Sequence, residues 1–283
     1  MKYIQPFDPW KSSLCTCPPK YSLNPYTGCG HGCLYCYATS FIKNFYNPRP
    51  KKDFLKFVIK DLAKLPKNSL ISLSNSSDPY QPLEKLYQHT QKFLKFLLGT
   101  SYRVLIITKS DLILRDIKLL TKLRCAVSIT ITSKTLSKKL EPGAPGYKNR
   151  LKAVKILSEA GIPVSVRLDP IIPGLNEKEI LEILDEIVTY VKHITVSTYK
   201  ARPDSLKRLI NAFPEKKKLL EELYLEKGKR LSGAIYLPDK LRYKLIKPLY
   251  EKAKKYNLSF ATCREALDKF KNPGKCDGSF LII

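Results

Sequence analysis

The chain has 283 residues, and its 51 Lys and Arg against 25 Asp and Glu give a net charge of +26. That length allows one large domain, or one domain with a small appendage, and a sizeable buried core. No apolar run approaches the roughly 20 residues of a membrane span, and the opening MKYIQPFDPWKSS lacks the apolar core of a signal peptide. A cytoplasmic protein is expected, in a compartment where thiols stay reduced. Lysine enrichment with a single Met is also a thermophile trait, but that trait brings Glu along with Lys. The surplus of base points instead to a polyanion partner, nucleic acid first.

Taken in order, residues 1–20 read as an irregular arm rich in Pro and Ser, and 21–27 as a first strand. Residues 53–65 have helical apolar spacing, and 70–75 alternate as a half-buried strand with Ser72 and Ser74 on one face. A helix over 83–98 ends at Gly99. VLIIT (104–108) is a continuous apolar strand of the parallel-sheet kind. A helix over 111–123, a strand over 126–130 and a helix over 147–160, stopped by Gly161, follow. Residues 162–168 alternate again. Asn176 predicts an N-cap with Glu179 at the capping-box position, ahead of the stripe Ile180, Ile183, Leu184, Ile187 and Val191. HITVS (193–197) is the sixth strand. From Ala201 the pattern turns helical, over 204–227 and 239–256, with Pro248 inside the second and a last short strand at 258–263.

Six βα units in a row imply a parallel sheet with helices outside it, short of the eight of a closed barrel. The expected fold is α/β, a partial (β/α)6 TIM-type barrel over 21–200, with an N-terminal arm (1–20) and a helical C-terminal extension with a cysteine-bearing tail (201–283). Chemistry is then expected at the C-terminal ends of the strands.

The chemistry-bearing stretch is NPYTGCGHGCLYCYA, Asn24 to Ala38, with Cys29, Cys33 and Cys36 spaced Cys-x-x-x-Cys-x-x-Cys. Cubane iron–sulfur clusters take four cysteine thiolates; three on one loop leave an iron open to a small molecule. Gly28, Gly30 and Gly32 let the backbone wrap the cluster, since glycine tolerates positive φ, and Tyr35 and Tyr37 would shield it from water. A zinc knuckle completed by His31 is the competing reading, as structural zinc wants four N or S ligands.

This spacing, with an aromatic residue before the third cysteine, resembles the signature of radical S-adenosylmethionine (radical SAM) enzymes. The resemblance implies that the methionine end of SAM chelates the open iron of a [4Fe-4S] cluster. One electron then cleaves the sulfonium to a 5′-deoxyadenosyl radical. Over roughly residues 22–180 the blocks SNSSDPYQPLE (74–84), TKSD (108–111), VSIT (127–130), LEPGAP (140–145) and DPIIPG (169–174) follow the order of the spore photoproduct lyase-like family, often labelled DNA repair photolyase. Carried over, Ser77 and Asp78 are similar to the residues that hold the methionine end of SAM. Lys109 and Ser128 resemble SAM contacts from the third and fourth strands, and Arg150 a contact to the cofactor or its neighbours. Carboxylate suits ammonium and lysine suits carboxylate. Against this, Ser-Ser-Asp-Pro is also good turn chemistry, and Lys109 also reads as a surface lysine.

One departure stands out. The family's repair enzymes return a hydrogen atom from a cysteine in the second-strand motif, where this chain has Asn75. The cofactor chemistry is expected to carry over and thymine-lesion repair is not. The expected activity is hydrogen abstraction from a nucleic acid. The competitors are modification of a protein, peptide or small molecule, and a non-catalytic zinc protein. By the same resemblance a ferredoxin or flavodoxin supplies the electron.

Five further cysteines remain. Cys125 opens an apolar strand and reads as a small hydrophobe. Cys15, Cys17, Cys263 and Cys276 lie at the two chain ends. They are compatible with a second iron–sulfur cluster, a structural zinc, or disulfides and free thiols. His31 is expected beside the cluster or on the surface, His89 on a helix and His193 at a strand start.

Overall fold

The structure is a computed structural model and describes residues 2–7, 14–73, 75–270 and 276–283; Ser74, expected to share a face with Ser72, lies outside them. Six parallel strands follow one another in chain order: β2 (Tyr21–Leu23), β3 (Leu70–Leu73), β4 (Arg103–Thr108), β5 (Cys125–Thr130), β6 (Val164–Ile171) and β7 (His193–Thr198). This is the expected partial barrel. Two more strands extend the sheet. Ile4–Pro6 (β1) pairs antiparallel with β2, so part of the arm is a regular edge strand. Ser259–Thr262 (β8) pairs parallel with β7 and carries the C-terminal region into the sheet as a seventh parallel strand.

Val, Ile and Leu alternate along the strands and divide the sheet into two faces. Val104, Ile106, Val127, Ile129, Val164, Val166, Ile194 and Val196 point outward into the main core. That core is covered by α1 (Phe54–Leu62), α2 (His89–Leu97), α3 (Tyr147–Glu159), α4 (Glu177–Ile187) and α6 (Asp239–Lys255). Helix α5 (Pro203–Ala212) belongs to a second apolar cluster around Tyr199, Leu209, Tyr224 and Leu237.

Three helical expectations change. The 83–98 helix is two pieces, because Gln88 adopts φ 53 between Tyr87 and His89. Residues 111–120 run as a 3-10 turn and one short helical turn. The 204–227 helix stops at Ala212 and restarts after Pro214, whose ring fits a first turn. The capping box at Asn176 does not form. The Asn176 side chain instead accepts from Ile172 N (2.7 Å) and donates to Thr132 O and Pro170 O. Glu179 leaves its own helix to receive the Lys134 N–H and the Ser133 and Thr135 hydroxyls. Both side chains tie loops at the C-terminal ends of the strands rather than capping the helix.

The inward face is more polar than the outward one. Registered pairs place Ile107, Ser128, Ser165 and His193 in one layer, with Thr130, Arg167 and Thr195 in the next toward the C-terminal ends. Below them the chain terminus enters the barrel. Leu281 and Ile282 pack on Leu70, Leu105 and Ala126, Phe280 meets the His193 ring edge-on, and Thr195 Oγ1 donates to Cys276 O (2.7 Å). The tail thus plugs the N-terminal end of the lumen and leaves the C-terminal end open.

Candidate active site

At that open end lies one cavity of about 640 Å3, lined from nearly every strand end. The cluster loop enters after β2. Gly28 and Gly32 take φ +80 and +65 as glycine allows, but Gly30 does not need positive φ. A Cβ on Gly28 would come 2.4 Å from Phe45 O, which accepts the Cys29 N–H. Gly143, from the LEPGAP block, matters as much: its N–H donates to His31 O, and a Cβ there would lie 2.1 Å from Gly30 O. The loop is therefore clamped backbone to backbone from two sides.

Cys29, Cys33 and Cys36 all line the cavity. Burial pushes the thiols of all three up, Cys29 to about 12. Neutral buried thiols of this kind lose protons only when a cation compensates them. Tyr46 donates to Cys33 O (2.6 Å), and Arg208 of α5 donates to Leu34 O and Cys36 O (both 3.0 Å). Asp204, one turn earlier, receives the Thr39 and Ser40 hydroxyls and pairs with Arg208. The C-terminal region thus buttresses the cluster loop, which the sequence pattern did not reveal.

Opposite the loop, residues 75–78 form a turn built on Asn24, whose Oδ1 accepts the N–H groups of Asn75, Ser76 and Ser77. Ser77 donates to Gly28 O (2.7 Å). Asp78 accepts from Tyr80 N and Thr108 Oγ1 through one oxygen and from Lys109 N through the other. The turn chemistry and the site position are both present, because Ser77 and Asp78 are buried and line the cavity. His31 is buried rather than on the surface. Its Nδ1 stands 3.4 Å from Asp78 Oδ2 and makes no hydrogen bond, and burial pushes the ring's pKa down.

Lys109 also lines the cavity, its Nζ 4.0 Å from Glu141 Oε1. Burial works against its charge, but Cys33 and Glu141 outweigh that and hold it above the ordinary lysine value. Ser128, expected at the cofactor, and Arg150, expected at the cofactor or its neighbours, do not line the cavity. Ser128 sits in a layer deeper in the barrel. Arg150 is 1% exposed and spends its guanidinium on Glu141 Oε2 (2.5 Å), Pro145 O and Thr130 O. Burial likewise opposes the Glu141 charge, yet Arg150 and Lys109 hold its carboxyl below the usual carboxylate range. Tyr35 donates to that same carboxylate. Arg150 and Tyr35 thus both meet Glu141, a residue the sequence pattern did not single out inside LEPG. Tyr37 is partly exposed on the cavity wall, and its hydroxyl donates to Asn75 O (2.5 Å). The Asn75 amide is tied to Ser22 Oγ (2.7 Å) and Ser72 O.

Two buried thiols and a half-buried third, an orphaned buried nitrogen and a lysine–carboxylate pair around one cavity fit a thiolate-held cluster with a bound zwitterion. The sequence model of the radical SAM superfamily matches residues 23–187, more than half the chain, and the chain belongs to that superfamily and is an enzyme. Superfamily membership implies a [4Fe-4S] cluster and SAM. An uncharacterized protein of Methanocaldococcus jannaschii is 37% identical over 167 residues, which are 56% of this chain and 63% of that one. The radical SAM Nalpha-GlyT isomerase of Pseudomonas phage M6 is 24% identical over 260 residues, 85% of this chain and 53% of that one. This chain thus spans less than two thirds of either relative. The fold is also that of spore photoproduct lyase. A variant solved with bound AdoMet and dinucleoside spore photoproduct superposes with a TM-score of 0.65 at 18% identity, over 90% of this chain and 75% of that one. No helix among the described residues is long and apolar enough to cross a membrane.

Proposed function

We propose that the chain abstracts a hydrogen atom from a nucleic-acid substrate. When bound, the cluster and SAM supply a carbon radical by one-electron cleavage of the sulfonium. Cys29, Cys33 and Cys36 would hold the cluster. Ser77 and Asp78 would hold the ammonium of SAM, and Lys109 its carboxylate, with Glu141 and Arg150 fixing the position of Lys109. Tyr37 would stand between the cluster loop and the substrate, oriented by Asn75. Asn75 has no weak S–H bond from which a hydrogen atom could be returned, so thymine-lesion repair of the lyase kind is not proposed. A ferredoxin or flavodoxin would supply the electron.

The observation that carries the substrate class is the cationic wall formed by a residue of β6 and by those that follow β7 and β8. Arg167, Lys200, Arg202 and Arg264 all line the cavity. Arg167 pairs with Asp169 and Lys200 with Glu265, and Arg202 lies over the Phe41 ring within electrostatic reach of Arg264 and Asp204. Burial first, and the like charge of Arg264 second, push Arg202 below its ordinary value. Four basic side chains lining one cavity suit an anion such as a phosphate. A target base in a duplex would have to leave the stack to enter a cavity of this kind.

The test is 5′-deoxyadenosine formation by the reconstituted enzyme with single-stranded DNA, RNA or peptide, alongside binding at several salt concentrations. A nucleic acid should raise the rate and bind with the steep salt dependence of phosphate contacts. Absence of nucleic-acid binding at low salt, or stimulation by peptide alone, would overturn the substrate class.

A further inference from the structure

The four cysteines from the chain ends lie within electrostatic reach of one another. The sulfurs of Cys17 and Cys276 are 3.3 Å apart although 259 residues separate them in sequence. Cys15 shares a hydrogen bond with Cys17, and Cys263 bears electrostatically on both and on Cys276. Cys15, Cys17 and Cys263 line the same cavity as the cluster loop. None of the four is disulfide-bonded. By contrast, Cys125 is buried in the outer core, where its thiol donates to Leu120 O.

The surroundings are those of an anionic centre. Lys20 is buried and pairs with Asp277 at 2.5 Å, and it also bears on Cys17 and Cys276. Arg167 bears on Cys263 and Cys276. Four thiolates around a divalent ion or a cluster leave net negative charge, which buried cations offset. Among the described residues no three Cys, His, Asp or Glu side chains converge on a single point. That holds for the cluster loop as well, so wider spacing does not set the second group apart from the first.

We propose that Cys15, Cys17, Cys263 and Cys276 hold a second metal centre, with all four thiolates supplied by the protein. The ligand class is a thiophilic centre, either an iron–sulfur cluster or tetrahedral zinc. Its full coordination separates it from the three-thiolate loop, and it needs no SAM. Its position gives it a mechanical role. Cys15 and Cys17 lead into β2 and Cys263 follows β8, so the centre joins the two margins of the incomplete barrel beside the Lys20–Asp277 pair.

The proposal is independent of the radical chemistry and is tested without it. The triple variant Cys29→Ala, Cys33→Ala and Cys36→Ala should retain metal after anaerobic purification. About one zinc per chain would identify a mononuclear site, and several irons with matching sulfide an auxiliary cluster. The double variant Cys17→Ser and Cys276→Ser should lose that metal and keep the iron of the loop. A metal-free triple variant, or full metal content in the double variant, would overturn it. Should the double variant not fold, the wild-type holoprotein gives the same answer. Mass spectrometry after alkylation should find Cys15, Cys17, Cys263 and Cys276 protected until a chelator is added and modified afterwards. Immediate modification without chelator, or persistent protection as disulfides, contradicts a metal centre.

Discussion

The two thiol groups differ in how the chain builds them. Cys29, Cys33 and Cys36 sit within eight residues, on a loop whose backbone is clamped by Phe45, Gln81, Leu140 and Gly143. The other four come from both ends of the chain and approach one another only because β1 and β2 form one margin of the sheet and β8 the other. The first group is a local motif, and its spacing alone announces its chemistry. The second is a product of topology. In the proposed reading the first holds a cluster with one iron left for SAM, and the second supplies four ligands by itself.

The largest separation between them should come from Glu141. It is fully buried and joins Arg150, Lys109, Tyr35 and Thr132 beside the loop. Glu141→Ala leaves Arg150 as a buried, uncompensated charge, which costs about 3–5 kcal/mol. Thermal unfolding should show that loss, and SAM affinity should fall with it as Lys109 loses its orienting partner. Unchanged stability would mean that the network does not support the loop. Next comes Arg208→Ala, which removes hydrogen bonds to Leu34 O and Cys36 O from a charged donor. A loss of about 1–3 kcal/mol is expected, with faster release of iron from the loop and no change at the terminal cysteines. Equal loss of metal from both groups would contradict their independence.

The smallest effect concerns the cavity rim. Burial pushes the Lys51 amine down to about 8, so its charge is present below that pH and lost above it. Binding of single-stranded DNA should weaken from pH 7 to pH 9 by about tenfold at most, in keeping with one lost phosphate contact. Lys51→Arg should flatten the profile, because arginine stays charged. An identical slope in wild type and variant would remove Lys51 from the binding surface.

Much of this was legible in the sequence. The six parallel strands announced themselves by β-branched alternation, and the cluster loop by its spacing. Ser77, Asp78 and Lys109 came from ordered blocks, and the structure brings them to one cavity with the three cysteines. What stayed hidden depends on contacts distant in sequence. Asn24 reads as one more loop asparagine until its Oδ1 receives three successive N–H groups. Glu141 looks like a surface acid in LEPG. Arg150, expected at the cofactor or its neighbours, holds Glu141, and Ser128 lies a layer deeper in the barrel. Strand alternation showed that Ser128 points inward but not how far down the lumen. Asn176 and Glu179 matched a capping box, but longer-range loop contacts claim both side chains. The tail GKCDGSFLII carried no strong pattern, yet its last residues plug the barrel.

The central claim is that the three loop cysteines and the facing polar residues form a SAM-cleaving site. It is tested most directly by 5′-deoxyadenosine production after anaerobic reconstitution with iron and sulfide, with SAM and dithionite added, in wild type and Cys36→Ala. Wild type should form 5′-deoxyadenosine and Cys36→Ala should form none while keeping its fold and any metal at Cys15, Cys17, Cys263 and Cys276. A wild-type protein with a full cluster that leaves SAM intact, or a Cys36→Ala variant as active as wild type, would contradict the account.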